Sequence, residues 1–216
     1  MELDGRQSGW APVMRGWIAA TLFAAALALA APGAMAADLV SGLKPATPQP
    51  AAAELKPGLA VTYYFKKFDN TREIPDWAKY RDGVPGEPIL ILDYFVGDGE
   101  VLTSGRTDHV GADIRGYLNF PVAGTYTIAM RSNDGVDLNI GGVRVVHDPD
   151  VHSDRFSELV PVEITTLGWY PLRLLYFEKQ VTSTLELYWL KPGGSGQLDF
   201  VPEEAFAHIP GEVPGS

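Results

Sequence analysis

Strict alternation of apolar and polar side chains between residues 125 and 142 is the feature that most constrains the fold of this chain. The stretch reads T-Y-T-I-A-M-R-S-N-D-G-V-D-L-N-I-G-G. Apolar residues occupy every second position on both sides of the polar corner Ser132–Gly135, a period typical of half-buried strands. Gly141 and Gly142 then offer the positive φ angles that a two-residue hairpin turn requires. We therefore predict two strands joined by a polar corner, which presents two oxygen-bearing side chains to a cation or a polyol.

The same period of two recurs through most of the chain. The segments that follow it or are rich in β-branched and aromatic residues are Leu59–Phe65, Ile114–Phe120, Val143–Val146, Val160–Ile164, Tyr170–Phe177 and Leu185–Leu190. Short strands separated by Gly- and Pro-rich turns, without a long 3.6-residue period, indicate an antiparallel arrangement. The predicted fold class is an all-β antiparallel sandwich or barrel. One or two short helices are expected, at Asp76–Tyr80 and Glu203–Ala207.

The N-terminal region predicts export. Residues Trp17–Ala31 are apolar and uncharged, Arg15 precedes them, and Ala34-Met35-Ala36 follows with small residues. This is the pattern of a secretory signal peptide over residues 1–36, with cleavage before Ala37. The apolar run is short for a membrane anchor, which needs about 20 residues. We expect a secreted or periplasmic protein with no membrane span after signal cleavage.

Composition divides the rest of the chain into three parts. Residues 37–56 are rich in Pro and Ala without an apolar period, which predicts a linker or a disordered leader. Residues 57–209 have the apolar density of a single globular domain. Residues 210–216 form a short tail. The chain contains no Cys, so neither a disulfide nor a lipid anchor on a cysteine contributes to it.

The formal charge of −10 argues against nucleic acids and anionic membranes as partners. The chain has no Gly-x-Ser-x-Gly elbow, His-Glu-x-x-His motif or phosphate-binding glycine loop. A small glycan-active enzyme therefore stays a distant third hypothesis, and we expect a protein that is not an enzyme.

The ordered set of motifs resembles the PA14 domain, a β-sandwich module of bacterial toxins, glycosidases and yeast adhesins. The resemblance covers about residues 57–209. The motifs that carry it are Leu59–Tyr64, Arg115–Leu118, Gly124–Ile128, Ser132–Gly142, Gly168–Glu178 and Leu185–Trp189.

The resemblance also implies a binding site. In sugar-binding members two adjacent aspartates at the corner, joined by a cis peptide, coordinate calcium together with a ligand from a later loop. Asn133-Asp134 stands at that dipeptide here, so one carboxylate is replaced by a carboxamide. Glu178 matches the loop ligand. The metal set that the resemblance implies is Asn133, Asp134 and Glu178, with Gln180 as a further ligand-binding residue. Calcium accepts carboxylate and amide oxygens.

Other interpretations of these residues stay open. Asn-Asp-Gly is also an ordinary turn sequence. The segment His147–Asp154 combines imidazoles and carboxylates, which suit zinc, although a polar loop is expected there in any case. Most of the aromatic residues fit a core by pattern, and one of them, or Phe177, could instead support a sugar ring.

Two main functional hypotheses follow. The first is an exported carbohydrate-binding module, calcium-assisted, that recognises a glycan or a cell-surface polysaccharide. The alternative is a structural or protein-interaction module of the cell envelope without a sugar site. The replacement of a carboxylate by Asn133 favours the alternative, and stabilisation by calcium would separate the two.

Overall fold

Two antiparallel sheets dominate the computed structural model, which describes residues 37–194 and 196–212. The predicted signal peptide, residues 1–36, and the last four residues of the predicted tail lie outside the described residues. The strands are β1 Lys56–Pro57, β2 Ala60–Phe65, β3 Val84–Pro85, β4 Asp93–Val96, β5 Val110–Phe120, β6 Gly124–Asn133, β7 Val136–Ile140, β8 Val143–Asp148, β9 Arg155–Phe156, β10 Val160–Ile164, β11 Gly168–Glu178, β12 Ser183–Leu190, β13 Asp199–Phe200 and β14 Phe206–His208.

The larger sheet has eight strands in the order β1-β14-β5-β11-β7-β8, with β2 paired to β5 and β3 paired to β2. The smaller sheet has six strands in the order β10-β6-β12-β13, with β4 paired to β12 and β9 to β6. This confirms the predicted all-β antiparallel fold. It also places long strands at the centre of each sheet, where both neighbours satisfy their backbone hydrogen bonds.

The apolar faces of the long strands turn inward, as the alternation predicts, whereas the two-residue strands are exposed. In β6, Tyr126, Ile128 and Met130 are 0–1% exposed. A ring cluster lies at one end of the core, where Phe120 contacts Tyr170 edge-on at 5.2 Å and Tyr126 at 4.9 Å between ring centroids. Such pairs add about 0.5–1.5 kcal/mol beyond the burial of their area.

The polar corner does not join two strands of one sheet. β6 belongs to the six-stranded sheet and β7 to the eight-stranded sheet, so the chain crosses between sheets at Asn133–Gly135. The glycine is required by close packing, because a Cβ atom at Gly135 would lie 2.5 Å from the Pro149 carbonyl oxygen and 2.6 Å from the Phe177 ring. β7 instead forms its hairpin with β8 through Gly141 and Gly142, whose φ angles are 58° and 78°, as predicted.

The helical predictions differ in position and type. Helix α1 spans Glu73–Ala78, and the second predicted helix is a single 3₁₀ turn, Glu203–Ala205, that leads directly into β14. Ile74 of α1 packs with Phe68, Leu175 and Phe177 in a small apolar cluster outside the main core. Phe177 is 0% exposed and is not a surface for a sugar ring.

The segment predicted as a linker lies against the sandwich, and we call residues 37–55 the N-terminal strap. Its Val40 N–H donates to the Pro161 carbonyl at 2.8 Å on the six-stranded sheet. The Gln49 side chain bonds both the N–H and the C=O of Trp169 on the eight-stranded sheet, at 2.7 and 2.9 Å. Leu43 is 5% exposed within the main core. The strap lacks periodicity because single residues, rather than a strand face, make its contacts.

No helix among the described residues is long and apolar enough to cross a lipid bilayer.

Candidate functional site

The crossover between β6 and β7 brings polar side chains together at one end of the sandwich. Asn133 and Asp134 are joined by a cis peptide bond, the arrangement that the resemblance to sugar-binding members implied. Both residues are buried, at 9% and 3% exposure. The crossover therefore holds a carboxamide and a carboxylate side by side, close to the end of β11.

Asp134 connects three segments. Its Oδ1 accepts a hydrogen bond from the His152 backbone N–H at 3.2 Å, and its Oδ2 accepts one from the Lys179 N–H at 2.8 Å. Its own N–H donates to the Phe177 carbonyl at 3.1 Å. Burial raises the pKa of Asp134, although these two bonds to its carboxylate oppose the shift. The carboxylate thus fixes both neighbouring loops while keeping lone pairs for another ligand.

The Asn133 side chain is oriented by the loop between β11 and β12. Its Nδ2 donates to Thr182 Oγ1 at 2.8 Å, and its backbone carbonyl accepts the Tyr176 hydroxyl at 2.7 Å. Because the amide nitrogen is engaged in this way, the amide oxygen is the group that the side chain can offer to a cation.

Glu178 is the most unusual carboxylate of the site. It ends β11, is 0% exposed, and neither carboxylate oxygen has a hydrogen-bond partner among the described residues. Burial raises its pKa to about 7, and repulsion from Asp108 and Asp134 adds to the effect. The His109 backbone N–H opposes this shift without reaching normal hydrogen-bond geometry. A buried carboxyl group without a partner is costly, and a bound cation would remove that cost.

Gln180 is placed differently from the other three predicted residues. Its side chain is exposed and its Oε1 accepts a hydrogen bond from Lys67 Nζ at 2.8 Å. The structure therefore groups Asn133, Asp134 and Glu178 at the crossover, while Gln180 contacts a neighbouring loop.

Asp108 also acts on the site, through its repulsion of Glu178, although no sequence motif marks it. Its Oδ1 accepts the Val181 N–H at 2.8 Å, and Val181 adopts φ 81°, a left-handed conformation that is rare for a β-branched residue. Asp108 thereby shapes the loop that carries Lys179 and Thr182. Its sequence distance from that loop left no local signal of the contact.

The donor set suits a hard cation. An amide oxygen and two carboxylates are ligands that calcium accepts, and six to eight oxygens complete its sphere. Across residues 37–194 and 196–212 there is no group of three or more His, Cys, Asp or Glu side chains arranged to hold a metal. A cation at this site would therefore need Asn133, backbone carbonyls, water or ligand hydroxyls in addition to the carboxylates.

In the His147–Asp154 segment, the alternative zinc candidate, the imidazole side chains lie against carboxylates rather than against the crossover side chains. His147 Nδ1 lies 3.1 Å from Asp137 Oδ2, and His152 Nε2 lies 3.3 Å from Asp148 Oδ2. Asp148 also accepts two hydrogen bonds from the Arg155 guanidinium. Its imidazoles thus contact carboxylates that are already paired, which accounts for the polar run in structural terms.

Comparisons with known proteins agree with this architecture. The PA14 domain of the MpAFP antifreeze protein superposes with a TM-score of 0.61 at 17% identity, covering 77% of this chain and 97% of that one. The PA14 sugar-binding domain from an RTX adhesin gives 0.57 at 16% identity, covering 70% and 98%. The Epithelial Adhesin 9 A domain from Candida glabrata, solved with Galb1-4GlcNAc, gives 0.59 at 12% identity, covering 77% and 95%.

No curated protein matches the chain. At these identities the solved structures establish a shared fold. The family model described as PA14 domain matches residues 55–200, well over half of the chain and nearly all of the sandwich. Every strand except β14 lies within that match, as does the crossover at Asn133–Gly135. The chain belongs to the PA14 domain family.

Proposed function

We propose that this chain is an exported carbohydrate-binding module that recognises a glycan through a calcium ion held at the β6–β7 crossover. The observation that carries the proposal is the Glu178 carboxylate, which is fully buried without a hydrogen-bond partner among the described residues. Asp134 accepts the backbone N–H of Lys179, the residue after Glu178, and repulsion from the Asp134 carboxylate helps to raise the pKa of Glu178, so the two carboxylates lie close enough to interact.

The chemistry of the site supports a polyol ligand. Calcium held by Asn133, Asp134 and Glu178 would keep coordination positions that vicinal sugar hydroxyls can fill. The combined formal charge of these three side chains is −2, which balances the ion. In this role the domain binds without catalysis, in keeping with the sequence expectation that the protein is not an enzyme.

The comparisons support the same direction. One similar domain is described as sugar-binding, and another was solved with a galactose-containing disaccharide. Galactose-terminated oligosaccharides are therefore the first ligands to test. The predicted signal peptide supports export to the periplasm or beyond, where such glycans are exposed.

Thermal unfolding of the mature chain in excess calcium and in excess chelator tests the metal. A ligand at one hundred times its Kd stabilises the native state by about 2.7 kcal/mol, which moves Tm by several degrees. We expect this shift in the wild type and its loss in Asp134→Ala. Asp76→Asn, which removes a carboxylate paired with Lys79 on the surface of α1, is the matched control and should keep the shift.

A specific observation also favours the second candidate function, a structural or protein-interaction module. Both oxygens of Asp134 already accept backbone hydrogen bonds, so the crossover is held together without a cation. If calcium leaves Tm unchanged in the wild type and no glycan binds, this second function is the correct one.

A further inference from the structure

Arginine side chains are concentrated on the outer face of the eight-stranded sheet. Arg115 of β5 and Arg173 of β11 lie directly opposite each other, and Asn139 of β7 follows in the same row. Like charges in directly opposed positions destabilise a sheet. The two opposed arginines therefore need a negatively charged partner. Positive charge that this partner does not neutralise is available to a ligand.

Asp113 supplies that counter-charge for both arginines. Its carboxylate accepts two hydrogen bonds from Arg115, both 2.9 Å, and two from Arg173, at 3.1 and 2.9 Å. Each guanidinium has five N–H donors in a rigid planar fork, and Asp113 uses two of them. One carboxylate thus serves two guanidinium groups, and both keep unused donors.

Arg173 lines a cleft of about 460 Å³ between this face and helix α1. Arg144 lies beside it, Arg72 and Pro75 form the opposite wall, and Leu175 contributes an apolar surface. We call this site the arginine cleft. The side chains of Arg144 and Arg173 are 57% and 35% exposed, so both can reach a ligand from solvent.

The cleft carries a net positive charge. Asp137 accepts from Arg144 and Asn139 and lies 3.1 Å from His147, so it is the second counter-charge. Three arginines and one aspartate line the cleft, which gives its lining a formal charge of +2 on a chain whose overall charge is −10, and the neighbouring Arg115 and Asp113 cancel each other. The acidic side chains of α1 do not cancel it, because Glu73 and Asp76 pair with Lys66 and Lys79.

We propose that the arginine cleft binds a carboxylated sugar, such as a uronic acid residue of an acidic polysaccharide. The guanidinium forks on this face already bind carboxylates in bidentate geometry, and their free edges match a further planar carboxylate. Pro75, which is partly exposed, offers an apolar surface for the C–H face of a pyranose ring. The site lies outside the Asn133, Asp134 and Glu178 group and needs no metal, so it does not rest on the proposed calcium site.

Titration calorimetry with an oligomannuronate in excess chelator tests this proposal. The matched ligand is the same oligosaccharide with its carboxylates reduced to alcohols. The double variant Arg72→Gln/Arg144→Gln removes two cleft charges. Arg106→Gln/Lys191→Gln removes two charges outside the cleft, where each side chain lies over an aromatic ring, and is the matched control.

The wild type should bind the oligomannuronate, more weakly as salt rises, and should not bind its reduced form. The cleft variant should lose about tenfold or more in affinity, since bonds to charged groups are strong, while the control stays near wild type. Equal binding of the reduced sugar, or an equal loss in both variants, would overturn the proposal. Binding of inorganic phosphate without binding of the uronate would overturn the assignment to a sugar.

Asp134→Ala separates this proposal from the proposed calcium site. It should abolish calcium-dependent binding of galactosides and leave uronate binding in chelator unchanged. Each site can therefore fail without the other.

Discussion

The crossover and the arginine cleft differ in the sign of their excess charge and in whether that charge is buried. At the crossover, Glu178 is a fully buried carboxylate with no partner among the described residues. Beside the cleft, Asp113 is bonded by two arginines, and in the cleft itself the positive charge exceeds the negative. Desolvation makes an unpaired buried charge expensive, whereas exposed guanidinium groups stay hydrated at little cost. A cation would therefore change the stability of the whole domain at the first site, while an anion at the second would mainly change affinity.

The largest expected effect comes from Glu178→Gln in chelator at pH 8. The pKa of Glu178 is raised from 4.5 to about 7, so the folded state binds the proton more tightly than the unfolded state. The free energy of unfolding should therefore fall as pH rises from about 4.5 through 7. The full cost of ionisation is about 3 kcal/mol. The variant removes this cost, so it should be more stable than the wild type above pH 7.

Chemical denaturation between pH 4 and 8 measures this effect. The wild type should lose stability across the window, and the variant should show a flatter profile. With calcium present the wild type should become more stable than the variant, since only the wild type keeps the Glu178 carboxylate as a calcium ligand. An unchanged profile in the variant would show that Glu178 is solvated in the native state.

Asp113→Ala tests how much the arginines beside the cleft depend on their shared carboxylate. It leaves Arg115 and Arg173 opposed without a counter-charge, at 25% and 35% side-chain exposure. Breaking a buried pair costs about 3–5 kcal/mol, and solvent screening reduces this to about 2 kcal/mol here. Urea unfolding at low and high salt measures it, and salt should recover part of the loss. A loss below about 0.5 kcal/mol would mean that the arginines need no counter-charge.

Asn133→Asp should have the smallest effect of the three substitutions. It increases the negative charge at the crossover and so makes its contrast with the positively charged cleft larger. A second carboxylate beside Asp134 adds a calcium ligand, so we expect calcium to bind about tenfold more tightly. In chelator the same change should destabilise the fold, because it adds a buried charge and removes the Asn133 Nδ2 bond to Thr182. Calorimetric titration with calcium checks the affinity. Weaker binding in the variant would argue that the amide donor, rather than the charge, organises the site.

Much of the sandwich could be predicted from the sequence because its long strands are half-buried. β10 was predicted at its observed bounds, Val160–Ile164, since alternation marks each of its residues. Two-residue strands such as β9 and β13 were not predicted, because two residues cannot show a period. The sequence predicted that a polar corner joins β6 and β7. It did not predict that the two strands belong to different sheets. Packing between distant segments, such as Pro149 and Phe177 against Gly135, decides that change.

The site was predictable only where its residues are adjacent or matched the family pattern. Asn133, Asp134 and Glu178 were named from the sequence, and the fold brings Asp134 to the backbone beside Glu178. Asp108 and Thr182 were missed, because their roles depend on contacts across more than forty residues. The arginine cleft was missed for a related reason. Its arginines are isolated in sequence. The registers of β5, β11, β7 and β8 place Arg115, Arg173 and Arg144 in one row, and helix α1 brings Arg72 to the cleft.

The N-terminal strap has a mechanical consequence. It bonds the six-stranded sheet at Val40 and the eight-stranded sheet at Gln49, so it crosses the seam of the sandwich. A pulling force applied at residue 37 would reach these few hydrogen bonds before it reached any long strand. The strap would peel away first, and it would withdraw Leu43 from the main core as it left. Tension at this end of the domain is therefore coupled directly to the packing between the two sheets.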